Sequence, residues 1–270
     1  MEHLLITSAK NPRLKRVLSL RERKERDKAG LTVLEGYREL SRALEAGIHL
    51  TECWFAPELY LGENEPALLE KAAAQGAELF ETTGPLLSKL AYRDRPEGLI
   101  ALAEMHHIGL EDMPVVENGL YLVAETIEKP GNLGSMLRSA DAVNADGVII
   151  CNRQTDVLNP NVIRASTGAI YYVPVAETSS EECIAWLKKH NITSIAASPH
   201  STDVYTDYDM TKGIAIVVGA EQYGLTDYWM NNADVNVQIP MLGKMDSLNV
   251  ATAATILLYE AARQRGFKKG

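Results

Sequence analysis

Short apolar runs alternate along this chain with longer stretches in which apolar residues recur three or four apart, the periods of buried strands and of one-sided helices. In the first half the pattern predicts a helix from Pro12 to about Lys28, with proline in its first turn and Gly30 just past its end. A strand at Leu31–Glu35, a helix at Arg38–Ala46 and a strand at Thr51–Ala56 follow. A helix at Glu65–Gln75, a strand at Glu78–Glu81, a helix at Gly84–Ala91 and a strand at Gly98–Ala103 complete a small αβ domain, residues 1–105. Residues 106–118, opening on His106-His107 and carrying Gly109 and Pro114, have no periodicity and read as a linker.

A second αβ pattern occupies residues 119–270. Its apolar runs are Leu120–Ala124, Gly147–Cys151, Ile192–Ala197, Ile214–Val218 and Val235–Ile239. Helical periods fall between them at Leu133–Val143 and Glu181–His190, and a last helix is predicted from Ser247 to about Arg265. Continuous apolar strands alternating with helices predict a mostly parallel sheet covered on both faces. Such sheets bind ligands in the loops beyond the carboxyl ends of their strands.

Composition narrows the class. No apolar stretch reaches the ~18 residues of a membrane span, and the N-terminus lacks the pattern of a secretory signal. Cys53, Cys151 and Cys183 are widely spaced and read as reduced cytoplasmic thiols rather than a disulfide frame or zinc site. The His106-His107 pair has no partners at ligand spacing, so no metal is expected. A net charge of −9 speaks against nucleic acid, but its distribution does not. From Ala9 to Lys28 nine basic residues face three acidic ones, a local +6 that leaves −15 on the rest. Because the signs interleave, charge alone favours a solvated helix face over a phosphate track.

Three loops carry the least routine residues. The first, Glu125 to Gly134, leads into Arg138 on an early turn of the following helix, with Asn132 where a capping residue would sit. The second, Val217-Val218-Gly219-Ala220-Glu221-Gln222-Tyr223-Gly224, leaves a buried strand through small residues that allow close backbone approach to a ligand. Glu221 there could equally cap the next helix. The third, Ile239-Pro240-Met241-Leu242-Gly243-Lys244-Met245-Asp246-Ser247-Leu248-Asn249, ends where Asp246 or Ser247 would cap the last helix. No G-x-G-x-x-G follows a strand and Gly243-Lys244 lacks the rest of a P-loop, which disfavours dinucleotide enzymes and NTPases.

In this order on one αβ half, the three segments resemble the signature motifs of the SpoU/TrmH family of RNA 2′-O-ribose methyltransferases, within the SPOUT superfamily. Asn159 to Ala169 (NPNVIRASTGA) resembles a further family segment. The likeness spans roughly Gly119 to Phe267, and Leu34-Glu35-Gly36-Tyr37-Arg38-Glu39-Leu40 resembles the ribosomal-protein-like substrate-binding domain many members carry. The resemblance implies a SPOUT domain with a deep trefoil knot, a homodimer, and transfer of a methyl group from S-adenosylmethionine to a ribose in structured RNA. The extra N-terminal domain points to ribosomal RNA ahead of tRNA. A tRNA 2′-O-methyltransferase and a non-catalytic RNA-binding or ribosome-assembly factor are the alternatives.

By motif, Arg138, Asn132, Glu221, Ser247 and Asn249 become the catalytic set, with Arg138 a phosphate clamp and polariser or, alternatively, the base. Gly219, Ala220, Ile239, Met241, Leu248 and Asn249 become the cofactor set. With RNA as partner, the basic stripe acquires a role, and Lys10, Arg13, Lys15, Arg16 and Arg38 become candidate RNA contacts.

Overall fold

A computed structural model describes residues 2–105 and 108–267, so the predicted His106-His107 pair lies outside the described residues. The chain divides into two compact units, Met1–His106 with Asp156–Tyr171, and His107–Thr155 with Tyr172–Gly270.

The first unit is a five-stranded mixed sheet with helices. Its elements are β1 (Leu4–Ile6), α1 (Pro12–Ser19), α2 (Arg23–Ala29), β2 (Leu31–Glu35), α3 (Tyr37–Glu45) and β3 (Leu50–Phe55). Then follow α4 (Glu65–Ala74), β4 (Glu78–Thr82), α5 (Gly84–Leu90) and β5 (Leu99–Glu104), in sheet order β1-β4-β3-β5-β2. The single helix predicted over 12–28 is two. Leu20 is buried at the break, and the guanidinium of Arg26, itself only 4% exposed, turns back onto the carbonyls of Leu20 and Arg21 at 2.7 and 2.8 Å. Its other nitrogen pairs with Asp156. The left-handed cap at Gly30 (φ 64°) ends α2, a conformation glycine adopts without strain. Trp54, Phe80, Leu87, Ile100 and Leu102 fill the core.

A later stretch of chain joins this unit. Helix α7 (Pro160–Ser166) packs on β2, and the Thr32 hydroxyl donates to the Leu158 carbonyl at 2.7 Å.

The second unit is a seven-stranded sheet in which every pairing is parallel, in order β10-β12-β9-β11-β6-β7-β8. The strands are β6 (Leu120–Glu125), β7 (Gly147–Cys151), β8 (Val175–Thr178), β9 (Thr193–Ala197), β10 (Asp203–Val204), β11 (Ile214–Val218) and β12 (Val235–Gln238). The helices are α6 (Pro130–Ala142), α8 (Ser180–Lys189), α9 (Asp227–Asn232) and α10 (Val250–Gln264). Strands β6, β7 and β11 are buried along their whole length, as a sheet covered on both faces requires. Ile108 bridges to Ala176 and Met113 enters the core, so this end of the predicted linker packs on the second unit.

The chain order does not follow the sheet order. After β11 the chain passes β9 to form β12, and α10 then returns to pack on α6, β6 and β11.

Candidate active site

Parallel register brings the first two loops together. Val218 stands opposite Ala124, so β11 and β6 end side by side and the segments after them leave in the same direction. The first loop enters α6 at Pro130, which supplies no amide where none is needed. The capping position is therefore Lys129, and Asn132 lies inside the first turn instead of capping it.

Glu221 does the work expected of a capping side chain, but for this earlier helix and not the next one. Its carboxylate accepts from the amides of Glu128 (3.2 Å) and Lys129 (3.1 Å) and from Asn132 Nδ2 (2.6 Å). A negative group at a helix start also meets the positive end of the helix dipole. Burial works to raise the Glu221 pKa, and the hydrogen bonds from Asn132 and the backbone outweigh it, so the group sits below the ordinary carboxylate value.

The third loop closes the set through the last helix. Its cap is Asn249, not Asp246 or Ser247: Oδ1 accepts from the amides of Ala251 (3.0 Å) and Thr252 (3.3 Å). That orients Nδ2 outward to donate to Asn132 Oδ1 at 3.1 Å. Glu221, Asn132 and Asn249, one from each predicted loop, thus form one directional chain of hydrogen bonds. Ser139 and Thr255 hydroxyls, 2.7 Å apart, tie α6 to α10 just beyond it.

Arg138 lies in the third turn of α6, one turn later than predicted because the helix starts early. Its side chain is exposed and, among the described residues, has no hydrogen-bond or ion-pair partner.

Gly219 turns out to be needed by its own chain. A Cβ there would fall 2.2 Å from the Gly224 carbonyl carbon, because Ala220 and Gly224 exchange two backbone hydrogen bonds of 2.9 Å that fold the loop shut. Gly224 supplies the positive φ (68°) the turn demands. Ala220 is buried, Ile239 and Met241 are half-buried, and Ser247, Leu248 and Asn249 are exposed. Residues 241–248 make none of the backbone hydrogen bonds found among the described residues, so their amides and carbonyls are unspent.

Beneath the loops lies a buried polar cluster that motif reasoning missed. Glu125, with no exposed surface, accepts from Ser180 Oγ (3.0 Å), Thr226 Oγ1 (2.8 Å) and the Thr226 amide (2.9 Å). Ser180 in turn accepts from Asn152 Nδ2 (2.8 Å) and Trp229 Nε1 (2.9 Å). An acidic residue ending an otherwise apolar strand was the available signal, since a buried carboxylate requires several donors.

Among the described residues no helix is long and apolar enough to cross a membrane, and no cluster of three acidic, His or Cys side chains could hold a metal.

The profile of the SpoU rRNA Methylase family matches residues 119–259, the stretch that carries all three loops. The chain belongs to this family. An MRM3-like substrate binding domain matches residues 11–101 of the same SpoU chain. The 23S rRNA (uridine(2479)-2′-O)-methyltransferase of Streptomyces viridochromogenes is 32% identical over 91% of the chain and 87% of its own length. The solved SpoU methyltransferase AviRb from that organism, in complex with the cofactor AdoMet, superposes with a TM-score of 0.87 at 31% identity, covering 96% of this chain and all (100%) of that one. A solved RNA 2′-O ribose methyltransferase superposes with a TM-score of 0.85 at 42% identity, covering 97% and 99%.

The remaining predicted residues of this SpoU-family member lie in the first unit. Arg13 pairs with Glu78 and Arg16 with the buried Glu52, while Lys10, Lys15 and Arg38 are exposed.

Proposed function

We propose that this chain transfers a methyl group from S-adenosylmethionine to a ribose 2′-hydroxyl of structured RNA, with 23S-type ribosomal RNA as substrate. The observation that carries the reading is the Glu221–Asn132–Asn249 chain, which holds three loops in one place at the carboxyl edge of a parallel sheet. The substrate assignment draws on the relative that methylates 23S rRNA and on the substrate-binding match ahead of the SpoU domain.

The third loop fits the cofactor. Unspent amides and carbonyls over residues 241–248 suit the polar edge of an adenine, and the apolar side chains of Ile239 and Leu248 suit its faces. Gly219, Ala220, Ile239, Met241, Leu248 and Asn249 are the residues assigned to hold it. When bound, S-adenosylmethionine supplies an activated methyl group on a sulfonium.

The chain's own residues then orient and polarise. A guanidinium presents a planar fork of N–H donors and no acceptor, so Arg138 serves as a phosphate clamp and polariser of the 2′-oxygen rather than as a base. Its unpaired donors leave the whole fork available to RNA. Asn132 and Glu221 set the start of α6 and thereby the position of Arg138. Ser247 and Asn249 face substrate or cofactor from the third loop.

The passage of β12 beyond β9 and the return of α10 to β11 support a knotted C-terminal chain. The exposed side chains of Leu242 (98%), Tyr223 (78%) and Met245 (70%) support a homodimer that covers them. A ribosomal RNA substrate puts the protein in the cytoplasm. Incubation with labelled S-adenosylmethionine and protein-free ribosomal RNA, followed by nucleoside analysis, tests the reaction directly.

A further inference from the structure

The first unit contains two sets of basic residues, and they differ in what their donors are doing. On α1 and α2 the arginines are largely committed to the fold. Arg13 pairs with Glu78, Arg16 with Glu52, and Arg26 with Asp156. Arg21 donates to the carbonyls of Lys89 (2.8 Å) and Ala91 (2.7 Å). Each of these guanidiniums has part of its donor fork taken by the fold, and those paired with carboxylates have their charge offset as well, so they offer a phosphate less than an unpaired arginine does.

The second set lies on α3 and α7. Arg38 and Arg42 stand four residues apart on α3, hence on one face, and both are exposed. Among the described residues neither guanidinium has a hydrogen-bond or ion-pair partner. Helix α7 brings Arg164 to the same unit, exposed, with one contact to Asn161 Oδ1 at 3.0 Å.

Two observations join the helices. The Arg42 side chain lies so close over Gly168, just beyond the end of α7, that a Cβ there would be 2.6 Å from Arg42 Cδ. Arg164 is among the charges that act on Glu35, the buried carboxylate at the end of β2 next to α3. The carboxylates beneath the patch, Glu35 and Glu39, are each buried (6% and 4% exposed) and ion-paired with Arg93, so neither takes up the donors of the exposed guanidiniums.

We propose that Arg38, Arg42 and Arg164 form the phosphate-binding face of this unit and hold the sugar–phosphate backbone of the RNA substrate. Three exposed guanidiniums on a chain of net charge −9 are a local positive field on an acidic body, and phosphodiesters are the groups such forks match. Phosphate contacts of this kind set register and affinity without reading bases. Helix α7 falls within the stretch matched by the SpoU profile yet packs with the first unit, so both matched regions supply this face. The inference rests on the RNA methyltransferase reading.

The test is binding of the full-length protein to protein-free 23S rRNA across a salt series, with S-adenosylmethionine affinity measured by calorimetry on the same samples. The triple variant Arg38→Gln/Arg42→Gln/Arg164→Gln should bind RNA at least ~10-fold more weakly at 0.1 M salt. Its log–log salt slope should be flatter by about 2–3, the loss of three phosphate contacts. Its S-adenosylmethionine affinity should be unchanged, which shows that the protein is folded. Arg→Lys at all three positions should restore most of the slope, because lysine keeps the charge. A Lys10→Gln/Lys15→Gln comparator should lose less than the triple variant. An unaltered slope in a folded triple variant, or a larger loss in the comparator, overturns this face while leaving the methyltransferase reading intact. Failure of the unsubstituted protein to bind the RNA at all would overturn that reading too.

Discussion

Asn132 serves two partners at once because its amide carries a donor and an acceptor on adjacent atoms, and the cap of α10 decides which way each points. Asn132→Asp keeps the shape but removes the donor and sets a second carboxylate beside Glu221, so transfer should fall by about 10²-fold, read as kcat on ribosomal RNA. Arg138→Ala should cost about 10²–10³-fold or more in transfer while S-adenosylmethionine binding stays nearly intact; equal loss of both would contradict that division of labour. Glu221 makes a pH-dependent contribution. Its folded pKa is depressed, so the stabilisation is complete above the unfolded value near 4.5 and disappears as pH falls through the folded one. The Tm gap between the parent protein and Glu221→Gln should accordingly be widest near neutrality and narrow as pH falls below the ordinary carboxylate value of 4.5. All five proposed catalytic residues came from motif resemblance. Their bonding did not, because Asn, Glu and Ser in a loop are equally consistent with caps, turns and ligands. Pairing across 117 and 89 positions depends on register that no local pattern contains.

At the scale of elements, two tight features carry predictions. Arg26 and Asp156 are a buried pair, with side chains 4% and 10% exposed. Arg26→Ala would leave a buried carboxylate and the Leu20 and Arg21 carbonyls short of donors, a loss of about 3–5 kcal/mol in denaturant unfolding. Gly219→Ala must push its Cβ against the backbone of Gly224, which cannot swing aside as a flexible side chain would. Opening that turn should weaken S-adenosylmethionine binding, measured by calorimetry, with the rest of the fold retained. Long periodic segments such as β6, β11 and α10 were legible because burial on one or both faces dictates their composition. The short β1, β8 and β10 and the short helices α7 and α9 were not, since so few residues show no period. The break between α1 and α2 was hidden for a different reason. Its cause is a guanidinium reaching back to two carbonyls, whereas helical propensity runs unbroken through Arg21 and Glu22.

For the whole molecule, chain order and packing order part company. Residues 156–171 follow β7 in sequence but pack with the first unit, where Val162 and Ile163 are buried. Deleting residues 1–105 would therefore uncover α7, and the remaining fragment should aggregate on size-exclusion chromatography where the full chain does not. The alternation of strands and helices made the parallel sheet predictable, but the order in which β12 and β9 sit cannot be read from alternation. Methyl transfer itself is open to direct measurement. Full-length protein is incubated with methyl-labelled S-adenosylmethionine and protein-free 23S rRNA, and the RNA is digested to nucleosides and analysed by mass spectrometry. The label should appear on a single nucleoside as a 2′-O-methylribose with an unmodified base, and its rate of appearance should fall by about 10²-fold or more with Arg138→Ala. Label on a base, or none on RNA that the protein demonstrably binds, would rule out ribose 2′-O-methylation by this chain.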